Sequence, residues 1–143
     1  KSKVCYLKTG SSRGSVSVRP DGFYVKITDF RHARTFFRKW LRKEAGLFIK
    51  KRVKKWAFEC GIEFRRIFIK QQRTCWGSCS QRKNLNFNWK LIHLPVVLVD
   101  YVIIHELMHL KELNHSKNFW ELVADKCPGY KDLRKTLKKI PAA

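Results

Sequence analysis

The chain opens on a two-residue period. In Ser15 to Arg19, Val16 and Val18 share one face, and Phe23 to Ile27 alternates again. Pro20-Asp21-Gly22 between them is a turn signal, and Val4 to Leu7 adds an earlier apolar run. Residues 1–29 therefore read as short strands forming a small hairpin.

From about Phe30 the period lengthens. Ala33, Phe36, Phe37, Trp40, Leu41, Ala45, Phe48, Ile49, Val53, Trp56 and Cys60 recur three or four residues apart, which predicts an amphipathic helix over 30–60. Gly46 is a point where it could bend or break, and Gly61 is a C-terminal stop. Residues 65–70 read as a strand and Thr74–Ser80 as a turn-rich loop. Leu85–Trp89 reads as a second strand with Leu85, Phe87 and Trp89 on one face. Pro95 suits the first turn of a helix predicted over about 95–113, whose Val96, Val99, Ile103, Leu107 and Leu110 face inward. Asn114 is its expected stop, because asparagine tolerates the left-handed conformation that ends helices. Ser116 can cap a further helix over 117–126. Cys127-Pro128-Gly129 breaks that helix, and a basic one over about 130–139 closes the chain.

That pattern belongs to a chain able to bury a core. Of its 143 residues, 44% are hydrophobic and 13% aromatic, so the net charge of +21 does not imply disorder. One domain over 1–143 is expected, in three parts: N-terminal strands (1–29), the basic helix (30–60) and a catalytic core (61–143). The most apolar stretch, Leu91–Ile104, is broken by His93, Pro95 and Asp100, which argues against a membrane span. No signal-peptide pattern is visible, and the absence of an initial Met fits a processed chain or a piece of a longer one. The five cysteines are scattered and odd in number, which fits reduced thiols and a cytoplasmic location. Cys75 and Cys79 have no second pair at matching spacing, which argues against a thiolate zinc site. A monomer without a membrane partner is expected.

The chemistry concentrates in His105-Glu106-Leu107-Met108-His109, followed by His115. On a helix, residues i and i+4 lie on one face, so His105 and His109 can offer two imidazoles to one metal ion. Glu106 lies about 100° round the helix, off the ligand face but within reach of a water beside it. A zinc hydrolase takes a third protein ligand, for which His115 leads and Glu121 or Asp125 on the next helix are alternatives. The series matches the long zinc-peptidase motif except that Glu112 stands at its usual glycine. Glu106 is then the general base. A donor to the oxygen that gains charge is also needed; Tyr130 is one candidate, with Arg73 and His93 behind it. Peptides often bind such sites as an added strand, and Leu85–Trp89 is the edge expected to receive one, with Asn86 and Asn88 near the substrate.

The residues around this motif resemble the YgjP-like metallopeptidase family, related to the SprT-like and WLM zinc peptidases. The resemblance rests on Trp76-Gly77-Ser78-Cys79-Ser80, Leu85-Asn86-Phe87-Asn88-Trp89-Lys90-Leu91-Ile92, Leu94-Pro95, the run Asp100 to Leu110, Asn114-His115-Ser116 and Phe119-Trp120. It covers roughly residues 40–140. It implies zinc on His105, His109 and His115 with Glu106 catalytic. It also implies a compact single-domain α+β fold of the zincin type, with a small antiparallel sheet packed on helices. Cys75 is a departure, since the family usually carries arginine before the Trp-Gly-Ser-Cys loop.

The charge adds a possible second partner. Exposed cations along the 30–60 helix, Arg38, Arg42, Lys50, Lys51, Lys54 and Lys55 among them, would attract DNA in a salt-dependent way. The main reading is a zinc-dependent peptidase acting on protein or peptide, associated with DNA. One alternative is a zinc-dependent hydrolase of nucleotides or phosphate esters, although no Gly-rich phosphate loop or carboxylate cluster supports it. The other is a non-catalytic nucleic-acid-binding module with a structural metal, which would need a fourth protein ligand.

Overall fold

The computed structural model describes residues 3–9 and 12–142. They fall into two compact units, residues 1–44 and 45–143, with one long helix passing through the division.

In the first unit the strands β1 (Lys3–Thr9), β2 (Ser12–Arg19) and β3 (Gly22–Ile27) form an antiparallel sheet in the order β1-β2-β3. The expected hairpin is thus a three-stranded meander. The alternation sets its register: Val16 pairs with Val25 and Val18 with Phe23. Val16 packs with Phe36 and Trp40 of helix α1 (Ala33–Cys60), and Val18, Val25, Ile27, Phe37 and Leu41 close round them. Phe23 meets Phe37 and Trp40 edge-on at centroid distances of 5.5 and 5.7 Å.

In the second unit α1 continues without a break at Gly46. A Cβ added at Gly46 would meet Ile69 Cγ1 at 3.6 Å, an ordinary contact, so the packing there does not demand glycine. The helix ends where expected. Gly61 takes φ +60°, its N–H donates to the Phe58 carbonyl at 3.1 Å, and Ile62 N–H donates to the Ala57 carbonyl at 2.9 Å. That pair of bonds is a Schellman motif, and it needs the left-handed residue that glycine supplies without cost.

Strands β4 (Arg66–Lys70), β5 (Gly77–Cys79) and β6 (Asn84–Asn88) form the second sheet, in the order β4-β6-β5. β6 runs parallel to β4 and antiparallel to β5, so this sheet is mixed rather than purely antiparallel. Two expectations change here. Gly77-Ser78-Cys79, read as loop, is a strand. Residues Leu85–Trp89, read as an edge, hold the centre of the sheet, and Trp89 leaves it to begin a short 3-10 segment over Trp89–His93. Leu85 and Phe87 are fully buried. Ala45, Ile49 and Val53 of α1 are fully buried as well, as are Val99, Ile103 and Leu107 of helix α2 (Val96–Met108). Arg52 of α1 donates two hydrogen bonds to the Asp100 carboxylate of α2, which joins the two helices by a part-buried ion pair.

Helices α3 (Lys117–Lys126) and α4 (Tyr130–Lys138) follow. The C-terminal residues return to the sheet, where the Asn88 amide donates to the Ala142 carbonyl at 3.2 Å and Trp76 Nε1 donates to that of Ile140 at 3.4 Å. The fold is α+β, and no helix among the described residues is long and apolar enough to cross a membrane.

Candidate active site

The site forms where α2 ends. That helix stops at Met108, five residues before the sequence pattern predicts, and His109 is its C-cap with right-handed angles (φ −63°, ψ −17°). Tight turns replace it: Leu110 N–H donates to the Leu107 carbonyl at 3.0 Å and Glu112 N–H to that of Met108 at 2.9 Å. Leu113, which an extended helix would carry inward, is exposed. Asn114 is not left-handed either; among the described non-glycine residues only Lys83 has positive φ. Ser116 then starts α3, its Oγ accepting from Phe119 N–H at 3.3 Å. This early stop and immediate restart carry His115 back over the last turn of α2.

Three imidazoles converge as a result. His105 Nε2 lies 3.2 Å from His109 Nε2 and 3.1 Å from His115 Nε2. Among the described residues these three side chains form a group able to hold a metal ion. Four nitrogens at zinc's usual bond length stand about 3.3 Å apart in a tetrahedron; the two separations from His105 match that spacing, and all three ligand atoms lie within 4.8 Å of one another. The tautomers agree. His109 Nδ1 lies 3.1 Å from the Glu112 carbonyl, which can only accept, so Nδ1 carries the proton and Nε2 turns its lone pair to the centre. Burial, then the charges of His109, His115 and Arg134, pushes His105 down to about 3. Burial, then His109 and Arg134, also lowers His115. These two rings stay neutral, as ligands must be. His105 Nδ1 is buried without a partner. The donor set fits a divalent zinc-type ion.

Phe119 organises the cluster. Fully buried, it stacks on His109 (4.4 Å, 25°) and meets His105 and His115 edge-on at 4.9 and 4.8 Å. Trp120 also stacks on His115 (5.6 Å, 26°). Nothing in the histidine spacing announced this aromatic seat, although Phe119 and Trp120 stood in the motif that carried the family resemblance.

Glu106 is 6% exposed, and burial alone pushes its carboxyl up to about 8. Its side chain lies against the backbone of Gly77 on β5. The two residues border a cavity of about 230 Å³ that also exposes His105, Tyr101, Trp76, Cys75, Val102 and Leu137. Tyr101 was not among the expected site residues. Its signal was its position one helical turn before His105, on the same face. Burial pushes its phenol up to about 12. Burial, then the Glu106 charge, pushes the Cys79 thiol up to about 11.

Other expected residues lie elsewhere. Tyr130 does not border the Glu106 cavity; its ring stacks on Trp120 (5.2 Å, 14°). Arg73 is exposed and outside that cavity, and His93 packs edge-on against Trp89. Glu121 and Asp125, the alternative third ligands, are exposed and paired with Lys117 and Lys126. Asn88 is fully buried, and its amide nitrogen reaches the carbonyls of Gln72, Cys75 and Ala142 while Oδ1 caps Lys90 N–H. It ties loops together and is closed to a substrate. Asn86 donates to Ser78 on β5, to Oγ at 3.3 Å. Arg38, Arg42, Lys50, Lys51, Lys54 and Lys55 are all exposed along α1.

No curated protein matches the chain. Among solved structures it is similar to the metallopeptidase zymogen of Pyrococcus abyssi abylysin, with TM-score 0.58, 21% identity, 64% of this chain covered and 92% of that one. It is also similar to the metallopeptidase zymogen of Methanocaldococcus jannaschii jannalysin, with TM-score 0.54, 27% identity, 64% of this chain covered and 97% of the other. A family model described as YgjP-like, metallopeptidase domain, matches residues 7–140, and with the histidine geometry beside it the chain belongs to the YgjP-like metallopeptidases.

Proposed function

We propose that this metallopeptidase holds one zinc ion on Nε2 of His105, His109 and His115, with Glu106 as general base. The observation that carries the reading is the convergence of three imidazole nitrogens beside a buried carboxyl group that no cation pairs among the described residues. Imidazole nitrogens suit zinc, and a bound ion supplies Lewis-acid polarisation of a carbonyl together with acidification of water. Among the described residues three ligands converge rather than four, the arrangement of a catalytic rather than a structural site.

The residues divide the remaining tasks. Glu106 takes a proton from water on a carboxylate oxygen and returns it to the departing amine. Tyr101 borders the same cavity, and its phenolic O–H is the group assigned to donate to the carbonyl oxygen as charge builds there. A peptide laid along β5 would use the outer edge of the sheet, next to Glu106, and not the central strand β6. Association with DNA is the second part of the proposal, supported by the exposed cations of α1; unchanged anisotropy of a labelled duplex at low salt would remove it.

The test of the main reading is metal analysis of wild type and His105→Ala together with a casein degradation assay. Wild type is expected to carry about one zinc per chain and to lose activity to a chelator. Equal metal content in the variant would overturn the proposal.

A further inference from the structure

A cavity of about 370 Å³ opens between α4 and Trp120. Its walls are Trp120, Tyr130, Lys131, Arg134, Lys135 and Lys138. The four cations stand at i, i+3, i+4 and i+7 of α4, which places them in one stripe, and no carboxylate lines the space. Asp132, the acidic residue of α4, sits about 100° away on the helix from Lys131.

This stripe differs from a merely solvated charged face in three ways. It borders an aromatic floor: Trp120 is stacked by Tyr130 at 5.2 Å and carries the Arg134 guanidinium 4.5 Å from its ring centroid. It reaches the histidine cluster: Trp120 also stacks on His115. It also approaches the cleft through shared walls. Arg134 and Lys138 line a neighbouring cavity of about 400 Å³ that shares Trp76 and Leu137 with the Glu106 cavity. A chain lying at Glu106 can therefore place a residue a short distance along in front of the cations.

We propose that Lys131, Arg134, Lys135 and Lys138, over the Trp120 ring, form a subsite for acidic residues of the substrate peptide, on one flank of the scissile bond. The inference rests on the peptidase reading and names its substrate class. A flexible polypeptide fits these observations better than a nucleic acid, because Arg134 and Lys138 line a cavity that shares walls with the one holding Glu106. A glutamate or aspartate side chain gains several cations there, one of them held against an aromatic face, and gives up less hydration than a charge entering a closed pocket.

Fluorescence anisotropy with the Glu106→Gln chain tests it without cleavage. The probes are two labelled peptides of one sequence, one with glutamates and one with glutamines, and a single-stranded oligonucleotide of equal charge. The glutamate peptide is expected to bind on the order of tenfold tighter at low salt. The preference should vanish in Lys131→Ala/Lys135→Ala/Lys138→Ala and persist when the same three positions carry arginine. In wild type, kcat/KM for cleavage should show the same glutamate preference. Binding of the glutamate peptide without any cleavage by wild type would retain the subsite and remove the peptidase reading. Equal binding of the two peptides, or an oligonucleotide that depends on the three lysines more strongly than the glutamate peptide does, would overturn the subsite.

Discussion

A methyl group placed on Gly77 would stand 2.8 Å from Cγ of Glu106 and 2.9 Å from its Oε1. The backbone of β5 and the carboxyl of α2 thus share a space that admits no side chain on the strand. Gly77 has no positive φ, so the requirement is for room and not for an unusual backbone. Gly77→Ala is therefore expected to push Glu106 out of place while leaving the three histidines alone. A displacement of this kind costs activity on the order of 100-fold. Metal content measured beside kcat checks it: zinc retained with kcat lost is the expected pair, and unaltered kcat would show that the position of Glu106 is not critical.

Phe119 is the common neighbour of all three imidazoles. A flexible aliphatic side chain cannot supply the same flat support. Phe119→Leu is expected to weaken zinc binding about tenfold, the lower end of what supporting residues around a metal contribute. Competition with a chromophoric chelator measures it, and circular dichroism separates loose ligands from a lost fold. Unchanged affinity would mean that the turns at 109–112 and the Ser116 cap hold the rings without the aromatic seat.

What the sequence revealed was the local part. The spacing of Ala45, Ile49, Val53 and Cys60, and the stop at Gly61, follow from contacts within a few residues, and α1 forms as they predict. The pairing of His105 with His109 is likewise one helical turn. The misreadings were non-local. Gly77-Ser78-Cys79 has turn composition and becomes a strand because β6 is there to pair with it. Whether β6 is central or outer depends on where the chain goes after β4, which no pattern inside residues 85–89 encodes. Leu110 and Leu113 continued the helical period past the true end of α2, because periodicity registers apolar positions and cannot register the tertiary site that bends the chain.

Asn88 shows what a polar residue at the centre of a sheet can do. Its amide nitrogen serves the Gln72 carbonyl at 2.9 Å, with those of Cys75 and Ala142 at 3.4 and 3.2 Å. Asn88→Leu fills similar space but leaves buried carbonyls without a donor. The expected cost is about 2–4 kcal/mol, the sum of more than one unsatisfied group. Urea unfolding measures it. The loss should appear as a lower midpoint with little change in slope, and stability within 0.5 kcal/mol of wild type, roughly the noise of a neutral surface change, would deny the tie its role.

Tyr101 and Tyr130 divide a question that composition left open. Tyr101 borders the cavity that holds Glu106 and His105, whereas Tyr130 spends its ring on Trp120. If charge on the reacting carbonyl oxygen is met by a phenol, geometry gives that work to Tyr101. Tyr101→Phe removes one hydroxyl and keeps the ring that meets His105 at 6.0 Å. Loss of a donor that acts mainly in the transition state lowers kcat on the order of 100-fold with little effect on KM. Tyr130→Phe keeps the stacked ring and should lower kcat far less. Steady-state kinetics of the two variants on one peptide decide between them, and the reverse order of kcat values would move the donor to Tyr130 and require α4 to close over the cleft.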